Sequence, residues 1–164
     1  APLEPMGDPM LDAIGPGAYA RRTDAPDRTY EGLIKIVPLR VATSVHLEGR
    51  DPDPRGMAVV GADGEIGGIV RDVWVDRSEV LIRYLEVEVP AEPSPLNVLL
   101  PMTFSKIEKA SNTVKVDAIL ARQFANVPRT KSPDEVTLLE EDRICAYYGG
   151  GTLYATPART EPLL

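Results

Sequence analysis

Apolar and polar residues keep no fixed period at the start of this chain. Residues 1–28 hold five prolines (Pro2, Pro5, Pro9, Pro16 and Pro26), and their apolar side chains follow neither a two-residue nor a 3.6-residue repeat, which predicts an extended arm. Met10, Leu11 and Ile14 are spaced to pin such an arm to a neighbouring surface, and full disorder fits the same composition equally. From Tyr30 the pattern shortens to strand-sized pieces. Ile34 to Val41 reads as a strand interrupted by Pro38, which belongs at an edge or a bulge because proline donates no ladder hydrogen bond. Asp51-Pro-Asp-Pro-Arg-Gly56 reads as a turn-rich loop. Met57 to Val60 and Glu65 to Val75 read as the arms of a hairpin around Gly61-Ala-Asp-Gly64, with a bend or bulge at Gly67 and Gly68.

Asp76-Arg-Ser-Glu79 then turns the chain into a strand from Val80 to Val89. Leu81, Leu85, Val87 and Val89 share its inward face, and Val80, Ile82, Tyr84, Glu86 and Glu88 share the other. Pro90 to Pro95 reads as a rigid loop, Leu96 to Pro101 as an apolar strand, and Thr103 to Lys115 as two short strands around Ala110-Ser-Asn112. Five or six strands at such spacing predict a mainly β fold, a small barrel or sandwich, with a closed barrel preferred because closure removes exposed edges. In the last third, Ser132-Pro-Asp-Glu135 offers a capping hydroxyl, a proline at the first helical position and a glutamate that reaches back. A helix of about three to four turns is expected from Pro133 to Ala146, stopped by Gly149-Gly-Gly151. A shorter helix or turn is expected over Asp117 to Phe124, and a last strand over Thr152 to Ala155 before a tail from Pro157. The chain thus divides into an extended arm (1–29), a β-barrel core (30–130) and a C-terminal helix with its tail (131–164) packed on the barrel.

Composition changes this picture in three places. With 164 residues the chain is about one domain, large enough to bury a core without staples. Its 18 basic and 25 acidic residues leave a net charge of -7, which disfavours a nucleic-acid partner. The single Cys and single His build no disulfide framework, redox CxxC pair or His/Cys zinc cage, and Cys145 reads as a buried apolar residue. No apolar run approaches the roughly 18 to 20 residues that span a bilayer and no signal peptide opens the chain, so it reads as soluble and suited to a reducing compartment.

Conventional catalysis finds little support. A Ser-His-Asp triad must recruit His46, which sits in Ser44-Val-His-Leu-Glu48, and no GxSxG elbow supplies the nucleophile, so a surface or structurally bonded histidine is the favoured reading. A Cys145–His46 dyad has no local support, and the triple glycine follows a helix instead of opening one, unlike a phosphate cradle. The carboxylates are denser. Asp72, Trp74 and Asp76 alternate onto one strand face, Glu79, Glu86 and Glu88 follow across the hairpin, and Arg71, Arg77 and Arg83 are interspersed. Such a patch suits an acid–base pair, a cation site or a proton relay. A solvated outer face of a small barrel accounts for the same spacing, and periodicity alone favours that simpler account.

An ordered series of segments resembles a known family: Lys35-Ile-Val-Pro-Leu-Arg-Val-Ala42, Asp53-Pro-Arg-Gly-Met57, Asp72-Val-Trp-Val-Asp-Arg-Ser-Glu79 with Arg83-Tyr-Leu-Glu-Val-Glu88, Phe124-Ala-Asn-Val-Pro128, and Ser132 through Gly149. Together they resemble the H subunit of the purple bacterial photosynthetic reaction centre. The resemblance implies a cytoplasmic domain built on a PRC barrel. The family's single membrane helix is not part of this sequence, so attachment is expected to come from docking, with that helix truncated, separate or on a split subunit.

The resemblance further implies a non-catalytic subunit that caps the L and M subunits, stabilises their quinone-binding core and assists proton uptake to the secondary quinone. L and M would carry bacteriochlorophyll, bacteriopheophytin, quinones and non-haem iron, and this chain no cofactor or metal. Its place would be the cytoplasmic face of the photosynthetic inner (chromatophore) membrane, with lipid headgroups as further neighbours and no nucleic acid. By match to the motif, Asp76, Glu79 and Arg83 correspond to proton-path positions, with Glu79 foremost and Asp72 in the same patch. Some members carry a histidine pair just ahead of the segment matching Lys35; here Thr29-Tyr-Glu-Gly-Leu33 has none, so Glu31 becomes the entry candidate and metal sensitivity is not carried over. Glu135 and Glu141 fall where the family places further acidic residues. Two other classes compete: a free-standing PRC-barrel module for protein interaction or RNA maturation, which the acidic balance weighs against, and a carboxylate hydrolase, which requires a concave pocket around Asp72, Asp76 and Glu79.

Overall fold

The structure, a computed structural model, describes residues 23–42, 44–47 and 52–154. The anchoring expected of Met10, Leu11 and Ile14, the loop position Asp51 and the tail from Pro157 lie outside the described residues. Among those described, seven strands form one sheet: β1 (Ile36–Pro38), β2 (Ala58–Val60), β3 (Ile66–Asp76), β4 (Leu81–Val89), β5 (Leu96–Pro101), β6 (Lys106–Glu108) and β7 (Thr113–Lys115). One helix, α1 (Leu138–Tyr154), follows. The strand order is β5-β4-β3-β2-β7-β6, with β1 beside β3.

The long strand β3 organises the sheet. Along one side it pairs with β4 from Ile69 to Asp76. Along the other, its first half pairs with β2 and its last three residues pair with β1, so that Pro38 closes an edge strand where its missing N–H costs nothing. The β2–β3 hairpin forms at the expected place: Gly64 takes φ +78 and Asp63 Oδ1 accepts the Glu65 N–H at 3.2 Å. Val59 pairs with Gly68 but Val60 with Ile66, so Gly67 is the extra residue of a bulge.

Three expectations need correction. The sheet is not closed, because its path ends at β5 and β6 with no ladder between them. The chain crosses that seam through a 3₁₀ turn, Met102–Phe104, and aromatic packing stands in for the missing ladder. Phe104 stacks on Tyr148 with ring centres 5.6 Å apart, Phe124 and Tyr147 meet the same ring edge-on, and the Tyr148 hydroxyl donates to the Leu99 carbonyl of β5.

Secondly, β4 does not have one buried and one wet face. Tyr84 and Glu86 are buried like Leu85 and Val87, whereas Leu81 is 40% exposed. The second face is covered on the α1 side: Glu141 of α1 accepts the Tyr84 hydroxyl, and Arg40 links Glu86 to the Pro133 carbonyl in the segment before α1.

Thirdly, α1 starts five residues later than the spacing suggests and runs through the glycines. Thr137 is the true cap: its Oγ1 accepts the Glu140 N–H at 3.0 Å, while Glu140 Oε1 accepts the Thr137 N–H at 2.9 Å. The next two orphan amides, of Leu138 and Leu139, donate to the carbonyls of Ala25 and Thr23. Ser132 Oγ only accepts the Asp134 N–H in a local turn. Gly151 is buried against Ile119 and Ala118: a Cβ there would lie 2.4 Å from Ile119 Cγ2 and 2.7 Å from the Ala118 oxygen. Close approach, not termination, accounts for it. Thr152 to Tyr154 are accordingly helical, not a strand, and Ala155 is outside the described residues. Between β7 and α1 a 3₁₀ helix spans Ala121–Asn126 and buries Phe124. Among the described residues no helix is long and apolar enough to cross a membrane.

Candidate functional site

The β3–β4 pairing brings the acidic residues together as two groups, not one patch. Asp72 pairs directly with Glu86 across the ladder, and both are buried. Arg40, just past β1, lies between them: its Nη1 donates to Asp72 Oδ2 at 2.9 Å and to Glu86 Oε1 at 3.0 Å. Its Nη2 donates to the Pro133 carbonyl at 2.8 Å and to Asp134 Oδ1 at 3.1 Å, tying the sheet to the approach of α1. Trp74 Nε1 also donates to Glu86 Oε1, and the Val73 N–H to Asp72 Oδ1. Burial alone would weaken the Arg40 guanidinium's hold on its proton; Glu86, then Asp72 and Asp134, outweigh it and the net shift is upward. The sequence pointed to both carboxylates but not to Arg40, whose partners lie 32 and 46 residues away.

The second group occupies the β3–β4 turn. Asp76 is fully buried, at 0% exposure. Its Oδ1 accepts the N–H groups of Ser78 at 2.8 Å and Glu79 at 3.2 Å, and its carbonyl accepts the Val80 N–H. Among the described residues its Oδ2 has no hydrogen-bond partner, and two cations stand just beyond bonding range, Lys35 Nζ at 3.6 Å and Arg83 Nη1 at 3.7 Å. A buried polar atom without a partner is rare enough to demand an account. Val80 adds strain, because at φ 52 a β-branched residue occupies the left-handed region at a cost of about 1–3 kcal/mol. Glu79 itself is exposed, one residue before that strained position. No hydrogen bond or ion pair joins this group to the Arg40 group among the described residues.

The remaining candidates scatter around this turn. Glu31 is exposed at the tip of a tight loop closed by the Arg28–Ile34 bridge and a Thr29 N–H to Leu33 carbonyl bond. That loop is tied to the acidic turn from below: Arg77 donates to the Ile34 carbonyl through Nε and Nη2, and Lys35 Nζ lies 3.8 Å from Asp27. Glu135 is half-buried but precedes α1 instead of lying on it. Glu141 lies on α1, where its Oε1 accepts the Tyr84 hydroxyl at 2.6 Å. Arg71 pairs with Glu88 on the outer surface. Sequence reasoning missed Lys35 and Tyr84 as members of these contacts, because both reach their partners only through the folded register.

Cys145 and His46 take quiet positions. Cys145 is half-buried and its thiol is pushed up to about 11, first by burial and then by Glu141 and Asp142, which leaves it poorly nucleophilic. His46 is exposed at the rim of an apolar groove of about 440 Å³ that includes Val75, Val80, Leu81, Met102 and Ile107. Among the described residues no three or more His, Cys, Asp or Glu side chains are grouped to hold a metal ion.

Two family models match the chain in order. Residues 1–41 match the photosynthetic reaction centre H-chain N-terminal region, and residues 48–123 match the PRC-barrel domain. The acidic turn draws on both stretches: Lys35 comes from the first, and Asp76, Glu79 and Arg83 come from the second.

Proposed function

Because this chain belongs to the family of photosynthetic reaction centre H subunits, we propose that it caps the cytoplasmic side of the L and M subunits, steadies their quinone-binding core and passes protons toward the secondary quinone. In this reading it does no bond chemistry, and the pigments, quinones and non-haem iron belong to its partners at the photosynthetic membrane.

The proton role rests chiefly on Asp76 Oδ2, buried without a hydrogen bond between Lys35 and Arg83. Charge, not hydrogen bonding, compensates this oxygen among the described residues, which leaves it open to the field of a charge arriving nearby. Reduction of a quinone places negative charge in a site poor in water, which raises the proton affinity of neighbouring carboxylates and draws protons inward. Oδ1 is committed to two backbone amides, so the proton arrives at Oδ2. Glu79 exchanges it with the partner side, and Arg83 sets the local field. Glu31, on the loop that Arg77 ties to the same turn, is the entry point, and Glu135 and Glu141 supply a secondary acidic approach. Asp72, held by Arg40 and its neighbour's amide, contributes mainly by keeping the strands in place.

The surface beside Glu79 supports docking. Val80 is 59% exposed and Leu81 40%, and both border the apolar groove, so a subunit pressed here would bury apolar area while removing water from Glu79. In the intact reaction centre, Glu79→Gln should leave assembly unchanged and slow proton-coupled transfer of the second electron to the quinone by about tenfold or more. Flash-induced kinetics read this directly, and a wild-type rate in an assembled complex removes Glu79 from the route.

A further inference from the structure

We propose that Tyr84 is a positioning residue for Glu141, fixing that carboxylate at the seam of β4 and α1; this rests on the proton-delivery reading above. The placement begins in the ladder. Trp74 pairs with Tyr84 and the next residue, Val75, pairs with Ile82, so the register skips Arg83 and β4 bulges there. Arg83 Nη1 then lies 3.7 Å from Asp76 Oδ2, and the same guanidinium's charge is felt by Tyr84 and Cys145. One cation therefore reaches both the acidic turn and the place where Tyr84 of β4 meets Cys145 of α1.

The Tyr84 ring is 3% exposed, packed in the core, and its hydroxyl donates to Glu141 Oε1 at 2.6 Å. A buried ring confines its hydroxyl to one partner region, so the carboxylate adapts to the tyrosine and not the reverse. Burial first, and the Glu141 charge second, push the phenol far above its ordinary value, so Tyr84 stays a donor at any working pH. A proton bound for Glu141 must compete with that bond. Among the described residues, Tyr84 from β4 and Cys145 from its own helix interact with Glu141, and Arg83 and Asp142 act on those same two groups. Tyr84 meets Glu141 through a neutral O–H, so its effect is separable from that of the charges.

Tyr84→Phe in the intact reaction centre keeps the ring and deletes the donor. Infrared difference spectra, with the Glu141 band assigned by its loss in Glu141→Gln, should show Glu141 gaining about tenfold in proton affinity, so that its titration moves to higher pH by about one unit. Incorporating 3-fluorotyrosine at position 84, which preserves shape and strengthens the donor, should move the band the opposite way and serves where the phenylalanine variant assembles poorly. A band that titrates identically in wild type and both variants overturns the assignment. If the band moves while Glu141→Gln leaves proton uptake untouched, Tyr84 still positions Glu141, and the delivery role given to Glu141 is what fails.

Discussion

Replacing Arg40 by methionine is expected to lower the unfolding free energy by about 3 kcal/mol, the lower end of the usual range for a broken buried pair because the outer guanidinium is hydrated. The cause is the pair it leaves behind. Asp72 and Glu86 stand opposite each other in the ladder at 6% and 7% exposure, and like charges directly opposite in a sheet repel. Arg40 also holds the Pro133 carbonyl and Asp134, so its loss loosens the segment leading into α1. Urea midpoints measured at neutral pH check this, as does recovery of stability when Asp72→Asn and Glu86→Gln are added to Arg40→Met. An unchanged midpoint at neutral pH would show that the ion cluster is only decoration.

Two glycines in α1, two residues apart, should respond with opposite signs. Gly151→Ala places a methyl group against the Ala118 backbone oxygen at 2.7 Å and Ile119 Cγ2 at 2.4 Å, and overpacking of this kind costs about 1–3 kcal/mol. Gly149 has nothing within 4 Å of its Cβ direction, so Gly149→Ala should stabilise by about 0.5–1 kcal/mol through helix propensity. Thermal unfolding of the two single variants distinguishes them. Stabilisation by both would mean that Gly151 does not pack as tightly as its contacts indicate.

The strands were legible wherever local chemistry decides them. Asp63-Gly64 set a hairpin, Pro38 marked an edge, and Leu96 to Pro101 formed a strand with the expected bounds, because turn geometry and alternation are properties of neighbouring residues. The helix start was misplaced because two capping patterns lie five residues apart, and the choice between them falls to Ala25 and Thr23, which accept the Leu138 and Leu139 amides from more than 100 residues away. The glycine run was misread for a related reason: a stop signal and a close-packing surface look alike until Ala118 is beside them. At the site, the acidic residues announced themselves by density, yet their division into two groups depends on the skipped register at Arg83 and on Lys35 and Arg40 arriving from either side of β1. Alternation along a strand has no way to show either.

In the proposed route Asp76 takes up the proton at Oδ2 while Oδ1 holds the backbone. Asp76→Asn separates these jobs, because the amide oxygen still accepts the Ser78 and Glu79 N–H groups while the proton-accepting carboxylate oxygen is lost. Proton uptake and second-electron transfer should be timed together after paired flashes in reaction centres carrying this variant. Both should slow together by about tenfold or more, with assembly intact and the first electron transfer unaltered. Uptake at the wild-type rate in the assembled variant would contradict the account.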